Sequence, residues 1–352
     1  MTAELLFELG CEEIPAEDLF VLTEVLKARA SESFEQHRLV WSNLETFATP
    51  RRLVLRADVE RMQKDLREQK LGPPVKIAYD SDGRATPAGL GFAKNVGVSF
   101  EKLQKIETPR GEYVRAEIVI KGKRTQDVLK EVLPAIISSL PFRKYMRWGA
   151  GDYQFGRPIR NLLFLYNGKI VPLELAGVTS NRYTRGHLFL RRLKKISVSS
   201  FEDYKRNLLQ NGVILSFADR LTKISQELRE HSAILGATLK EDPELLRLMA
   251  NEVEYPEVLT GRFSEDFLKL PQEILINAMR KHQKYFCALD AEGRILPVFF
   301  AVLNTKAHGS DLIRDGHQRV LQARLRDAEF FWHEDLKTSL ADRRGQLSRL
   351  TY

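Results

Sequence analysis

The chain has 352 residues, with 55 Lys and Arg against 47 Asp and Glu, a formal charge of +8. That length supports two or three domains with a substantial core, and the modest basic excess favours an anionic partner while falling far short of a histone-like tail. Only Cys11 and Cys287 are present, which excludes a disulfide framework or thiolate zinc site and points to a reduced, cytoplasmic setting.

From the N-terminus, the run MTAELLFELGCEEIP carries acids and lacks a basic leader, so it does not read as a secretory signal. No apolar run approaches the length needed to cross a bilayer. Ala3–Leu9 reads as a buried strand. The helix after it runs to about Gln36, with Pro15 in its first turn and Glu12, Glu13, Glu17 and Asp18 complementing its N-terminus. Trp41–Val59 reads as strand, turn, strand, with Arg51 and Arg52 at the turn after Pro50, open to phosphate or to solvent. Gly72-Pro73-Pro74 marks a loop. Thr86 caps a short helix that begins at Pro87 and stops at Gly97. A strand over Glu112–Ile120 precedes a helix over Thr125–Leu140, which Pro134 is expected to kink.

Between Phe155 and Leu190 the pattern is all strand. Asn161–Tyr166, Lys169–Leu175 and Tyr183–Leu190 are separated by Asn167-Gly168 and Gly177, a meander with hairpin turns. Ser200–Asn211, Ser216–Leu235 and Asp242–Asn251 then read as helices, and a strand around Pro256–Leu259 ends at Gly261. Pro271–Arg280 is helical, and Lys284–Leu289 and Ile295–Leu303 are strands. Asp311–Trp332 is a long helix with Leu321, Leu325, Ala328 and Phe331 as its apolar stripe. The last residues, Leu350-Thr351-Tyr352, fall inside another amphipathic segment without a cap, as expected of a fragment of something longer. The fold class is α+β, with mixed or antiparallel sheets, packed helices and a more helical second half. The expected domains are a strand-rich 1–195, a mixed 196–310 and a helical 311–352 that leads into a further region.

Chemistry concentrates in Pro141–Phe189. There Arg143, Lys144, Arg147, Arg157, Arg160, Arg182 and Arg185 are interleaved with Tyr145, Trp148, Tyr153, Phe155, Tyr183 and His187. Guanidinium groups pair bidentately with phosphate oxygens and aromatic faces stack on unpaired bases, so this mixture suits RNA better than duplex DNA. Trp148 reads as a core anchor. No GxxxxGK[ST], HExxH or GxSxG occurs, and Gly89-Leu90-Gly91 and Gly149-Ala150-Gly151 lack the third glycine of a dinucleotide fingerprint. The scattered histidines suggest no metal site, and His187 and His282 read as hydrogen-bonded structural residues.

An ordered series of landmarks closely resembles the β subunit of the bacterial heterotetrameric glycyl-tRNA synthetase. It comprises LLFELGCEEIPAEDL at 5–19, ATPRRL at 48–53, GPP at 72–74, PAGLGFAK at 87–94, KYMRWG at 144–149 and FGRPIRNLLFL at 155–165. LAGVTSNRYTRGH at 175–187, ANEVEYPEVLTGRF at 250–263, LPQEILINAMRKHQKYF at 270–286 and DGHQRVLQARLRDAEFFW at 315–332 complete it. Tyr145 departs from the family's usual small residue, and His317-Gln318 from its usual Asn-Glu pair.

The resemblance implies an assembly of two α and two β chains that joins glycine to tRNA(Gly). ATP and Mg²⁺ are used at the α chain's class II site, and no cofactor is held by this chain. The β chain binds and orients tRNA, and family members continue into an HD-like domain and an anticodon-binding domain. The residues expected to hold tRNA phosphates are Arg147, Arg157, Arg160, Arg185, Lys284, Arg319 and Arg324, with Arg51 and Arg52 next. No residue is expected to be catalytic. The rival expectation is a scaffold that holds the α subunit while tRNA contacts lie further along the chain; a free-standing editing hydrolase ranks last.

Overall fold

The computed structural model describes residues 1–191, 194–306 and 310–347. The final segment through Leu350-Thr351-Tyr352 and His308 lie outside the described residues. In chain order the elements begin with β1 (Thr2–Cys11), α1 (Ala16–Gln36), β2 (Trp41–Thr49), β3 (Arg52–Glu60) and β4 (Leu66–Pro74). Next come α2 (Val75–Ala78), α3 (Pro87–Val96), β5 (Gln104–Thr108), β6 (Gly111–Ile120), α4 (Thr125–Ser138) and β7 (Ile159–Tyr166). Short strands follow: β8 (Lys169–Ile170), β9 (Glu174–Leu175), β10 (Val178–Thr179) and β11 (Tyr183–Arg185). Then come α5 (Leu188–Arg191), β12 (Lys195–Ser197), α6 (Phe201–Gln210), α7 (Phe217–Ile234), β13 (Thr238–Leu239) and α8 (Pro243–Glu252). The order closes with β14 (Glu257–Arg262), α9 (Gln272–Asn277), β15 (Phe286–Leu289), β16 (Ile295–Leu303), α10 (Ser310–Leu336) and α11 (Leu340–Leu347). The fold is α+β, with antiparallel strand pairing throughout the named registers.

Two compact units divide the chain. The first takes Met1–Ala3, Arg29–Asn43 and Ala57–Ile136; the second takes Glu4–Ala28, Leu44–Arg56 and everything from Ile137 onward. In the first unit a small sheet of order β4-β6-β5 packs Val114 and Ala116 against Ala78 of α2 and Ala93 of α3. Thr86 caps α3 by accepting from the Gly89 amide, and Gly97 ends it with φ of 73°, a left-handed conformation that glycine adopts at no cost. The expected loop at Gly72-Pro73-Pro74 is instead the end of β4. A register shift between Leu71 and Pro74 absorbs the prolines, which cannot donate to the ladder.

In the second unit β1 and β7 pair antiparallel, from Leu5 opposite Tyr166 to Gly10 opposite Asn161. The five-stranded sheet has the order β2-β3-β1-β7-β8. Leu5, Leu6, Phe7, Leu9 and Leu162–Leu165 are all buried, because strands covered on both faces must be apolar at every position. Asn167 and Gly168, both at positive φ, make the two-residue hairpin from β7 to β8. A second sheet, β13-β15-β16-β14, has helices on both sides. Along β16, Val298 and Phe300 face α7 and α8, while Phe299 and Ala301 face α9 and α10. That is the two-residue period of a strand shared between two apolar layers.

Several elements differ from expectation. The strand expected over Tyr183–Leu190 stops at Arg185. The buried His187 ring then accepts from the Phe189 and Leu190 amides through Nδ1 and starts a helical turn. The strand near Pro256–Leu259 continues through Gly261 to Arg262. The helix expected over Pro271–Arg280 ends at Asn277 and widens into a π turn over Ala278–Gln283. Lys284 follows at φ 56°, so strand pairing begins only at Phe286. On α10, Phe331 is 63% exposed and Trp332 packs on the core with Leu321 and Leu325. Trp148 is half-buried, edge-on to Tyr153, and is no core anchor. No helix among the described residues is long and apolar enough to cross a membrane.

Candidate nucleic-acid-binding site

The C-terminal end of β1, the first residues of β3 and β7 and the end of β11 surround one cleft of about 390 Å³ within the second unit. Glu8, Gly10, Cys11, Glu12, Arg51, Arg52, Arg160, Asn161, Arg185 and Gly186 line it. The sheet order places β1 between β3 and β7. The Cys11 amide donates to the Arg51 carbonyl at 2.9 Å, and the Glu12 amide to Pro158 at 3.0 Å. The register of β1 and β7 shifts after Gly10, so that Cys11 faces Ile159 and Arg160 is the extra residue. Such a bulge re-aims the inserted side chain, here toward Glu12.

Beneath the cleft lies a buried ionic layer. The Glu8 carboxylate accepts from Thr184 Oγ1 at 2.6 Å, Tyr204 OH at 2.5 Å, Asn161 Nδ2 at 3.3 Å and Arg52 Nη1 at 3.4 Å. Arg52 is 4% exposed and also donates to Glu254, with Nε at 3.1 Å and Nη2 at 3.0 Å. Burial disfavours the Arg52 charge, but Glu254 and Glu8 outweigh it and raise its pKa above that of a free guanidinium. Nearby Arg220, wholly buried, donates only to backbone carbonyls of Ala48, Ile214, Leu215 and Ala250. Burial lowers its pKa to about 10, with Glu254 opposing. Two cations and two carboxylates therefore balance in this layer, and each carboxylate takes several donors, as burial of charge requires.

Above it the balance is different. Glu12 Oε2 accepts from Arg51 Nη2 at 2.8 Å, and Glu12 Oε1 from Arg160 Nε at 2.7 Å. Burial alone would raise the Glu12 carboxyl, but the hydrogen bonds and charge of Arg160 and Arg51 hold it below the ordinary carboxylate range. Glu12 is thus an ion-pair partner and not a helix-start acid; Glu17 and Asp18 do lie in the first turn of α1, where both pair with Arg143. Arg185 is half-buried, and its Nε–H has no acceptor. The buried Cys11 thiol is pushed up to about 12 by burial, against Arg51 and Arg52, so it is protonated at neutral pH and no nucleophile.

Of the nine expected phosphate ligands, Arg51, Arg52, Arg160 and Arg185 come together here. Arg52 is a correction: both its edges are consumed by internal carboxylates, and it holds the floor of the cleft. Arg157 stays outside the cleft and donates to the Glu13 and Gly156 carbonyls. Arg147 is exposed, 3.8 Å from Asp152. Lys284 is paired with Glu252, and Arg324 lies 3.6 Å from Asp327. Arg319 is exposed on α10 with no ion pair among the described residues. His187 is hydrogen-bonded as expected, buried and donating through Nε2 to Asn304, which also accepts the Glu254 amide; His282 is exposed. Glu8, Glu254, Tyr204 and Arg220 were not singled out from sequence. One signal was available: Glu8 is an acid set between apolar neighbours in the middle of a strand, a charge that must find partners. Among the described residues no group of three or more His, Cys, Asp or Glu side chains is placed to hold a metal ion.

Comparison with known proteins sets this geometry in a family. A relative from Syntrophus aciditrophicus, a glycine–tRNA ligase beta subunit, is 38% identical over 353 aligned residues, covering all of this chain and 51% of its own. Proteins of the same name from Syntrophotalea carbinolica and Clostridioides difficile are each 39% identical, over 353 and 337 residues, with 51% and 49% of their lengths covered. This chain thus spans about half the length of the curated relatives it matches. The family model described as glycyl-tRNA synthetase beta subunit matches residues 5–352, and the chain belongs to that family.

Proposed function

We propose that this chain is the tRNA-binding part of a cytoplasmic glycyl-tRNA synthetase β subunit. In this reading it holds and orients tRNA(Gly) while an α subunit joins glycine to the tRNA, in an assembly of two α and two β chains. ATP and Mg²⁺ are used at the α subunit's site, and no step of the reaction is assigned to a residue here. The observation that carries the reading is the family match through residues 5–352. It is supported by the guanidinium cleft and by thiols that burial keeps protonated, Cys11 and Cys287 both being pushed up to about 12.

The test is tRNA(Gly) binding at several salt concentrations. If six or more of the cations expected from sequence hold phosphates, affinity should fall by about a thousand-fold or more between low and physiological salt. Arg52, Lys284 and Arg324 are engaged by carboxylates, so about six of the nine cations are left and lead to a log–log slope of about −4 to −5. A flat salt dependence contradicts the electrostatic reading.

One observation favours a scaffold instead. Val320, Phe330, Phe331 and Leu336 of α10 are exposed apolar side chains, a feature of protein-binding surfaces. Tight assembly with an α subunit by a chain without RNA affinity would select that reading.

A further inference from the structure

The charge of the cleft does not close on itself. In the buried layer the charges of Arg52 and Arg220 balance those of Glu8 and Glu254, and each of the four is hydrogen-bonded. At the cleft surface three guanidiniums, Arg51, Arg160 and Arg185, face Glu12 inside and Glu13 at the outer edge, which stands 3.5 Å from Arg51. Even with Glu13 counted, one positive charge is left over. Glu12 bridges Arg51 and Arg160 with one oxygen on each, the geometry a phosphate adopts between two guanidiniums. Among the described residues Arg185 makes no ion pair, and its buried Nε–H lacks an acceptor, a desolvated donor that favours the arrival of an anion. The volume, about 390 Å³, falls in the range of small-ligand pockets, roughly 300–1,000 Å³.

We propose that this cleft is a nucleotide-phosphate site and that Glu12 holds the place of the phosphate. On binding, the phosphate displaces the Glu12 carboxylate, bridges Arg51 and Arg160, and draws in Arg185. The balanced layer of Arg52, Arg220, Glu8 and Glu254 below fixes the floor. No bond is made or broken. The inference deepens the tRNA-binding reading, on which it rests for the source of the phosphate. It adds a component that a simple basic surface lacks, a resident carboxylate that competes with the ligand.

The experiment measures binding of labelled tRNA(Gly) and of 5′-AMP, as the bare nucleotide probe, to the 352-residue chain and its variants. Arg160→Gln should weaken tRNA binding about ten-fold, the worth of one charge-assisted hydrogen bond. Glu12→Gln should tighten it about three- to ten-fold by removing the competitor. Glu174→Gln, which removes the same charge at an exposed position outside the cleft, should change binding by less than two-fold. Thermal midpoints of each variant establish folding; should Arg160→Gln unfold, Arg51→Gln and the gain in Glu12→Gln carry the test. Competition by 5′-AMP that is lost in Arg160→Gln identifies a free nucleotide's phosphate as sufficient. Effects on tRNA without any on 5′-AMP assign an RNA-borne phosphate. Wild-type tRNA binding with neither variant altered overturns the site and leaves the tRNA reading intact. 5′-AMP binding that follows the variants in a chain with no tRNA affinity keeps the site and rejects that reading.

Discussion

At the residue scale, Arg51 and Arg52 are neighbours with opposite fates. The start of β3 turns Arg52 inward to Glu8 and Glu254, while Arg51 reaches Glu12 at the cleft surface. That division follows from the two-residue period of a strand, but the partner Glu254 lies 202 residues away along the chain. Sequence reading therefore saw two exposed cations at a turn. Removing one member of a buried pair leaves the other charge uncompensated. Arg52→Met should lose about 3–5 kcal/mol of stability, measured by urea denaturation; a loss under about 1 kcal/mol would show that the layer relaxes around the gap. His317 provides a pH signature. Its Nδ1 is hydrogen-bonded to the Tyr285 hydroxyl at 2.6 Å, and burial lowers its pKa below that of free imidazole. A histidine depressed in the folded state takes up protons more readily when unfolded. Its contribution is complete above about pH 6.5 and is lost as pH falls toward the lower folded value. The urea midpoint should drop as pH falls below about 6.5. In His317→Gln, which keeps an acceptor for Tyr285, that part of the drop should vanish.

At the element scale, the most legible features were helix starts. Thr86 and Asp242 cap their helices through side-chain oxygens, followed by Pro87 and Pro243, because the unsatisfied first-turn amides make these residue types informative. Strands with little burial were not legible. β4 and β5 lie at the edges of the small sheet and are mostly half-buried or exposed, so neither shows apolar alternation. The bulge at Arg160 left no mark in composition either. The apolar stripe of α10 was read correctly at Leu321 and Leu325, both at 0% exposure, but drifted at its far end, where Trp332 replaces Phe331. Leu325→Ala should cost about 2–5 kcal/mol through the cavity it leaves, measured by thermal or urea unfolding. The exposed neighbour Arg326→Ala should stay within about 0.5 kcal/mol. Equal losses at both positions would mean that α10 is not anchored by this stripe.

At the scale of the whole molecule, a net charge of +8 says little about how much positive charge is available to a ligand. Carboxylates distant in sequence engage Arg52, Lys284 and Arg160, with Glu254, Glu252 and Glu12 as partners. This is why the salt slope proposed for tRNA is shallower than composition suggests. The family was legible because its landmarks recur in order along the chain; the cleft was not, because it is assembled from four strand ends that only the folded topology joins. Its α+β class was readable from hairpin and capping signals, whereas the two-unit division draws on three separate stretches of sequence for each unit.

Both cysteines are buried, Cys11 in the wall of the cleft, and burial pushes both thiols up to about 12. In practical terms this 352-residue chain is a silent background for maleimide chemistry. A single thiol introduced at the surface can carry a fluorophore or spin label without first replacing either native residue, so the proposed binding of tRNA can be followed spectroscopically in an otherwise unaltered chain.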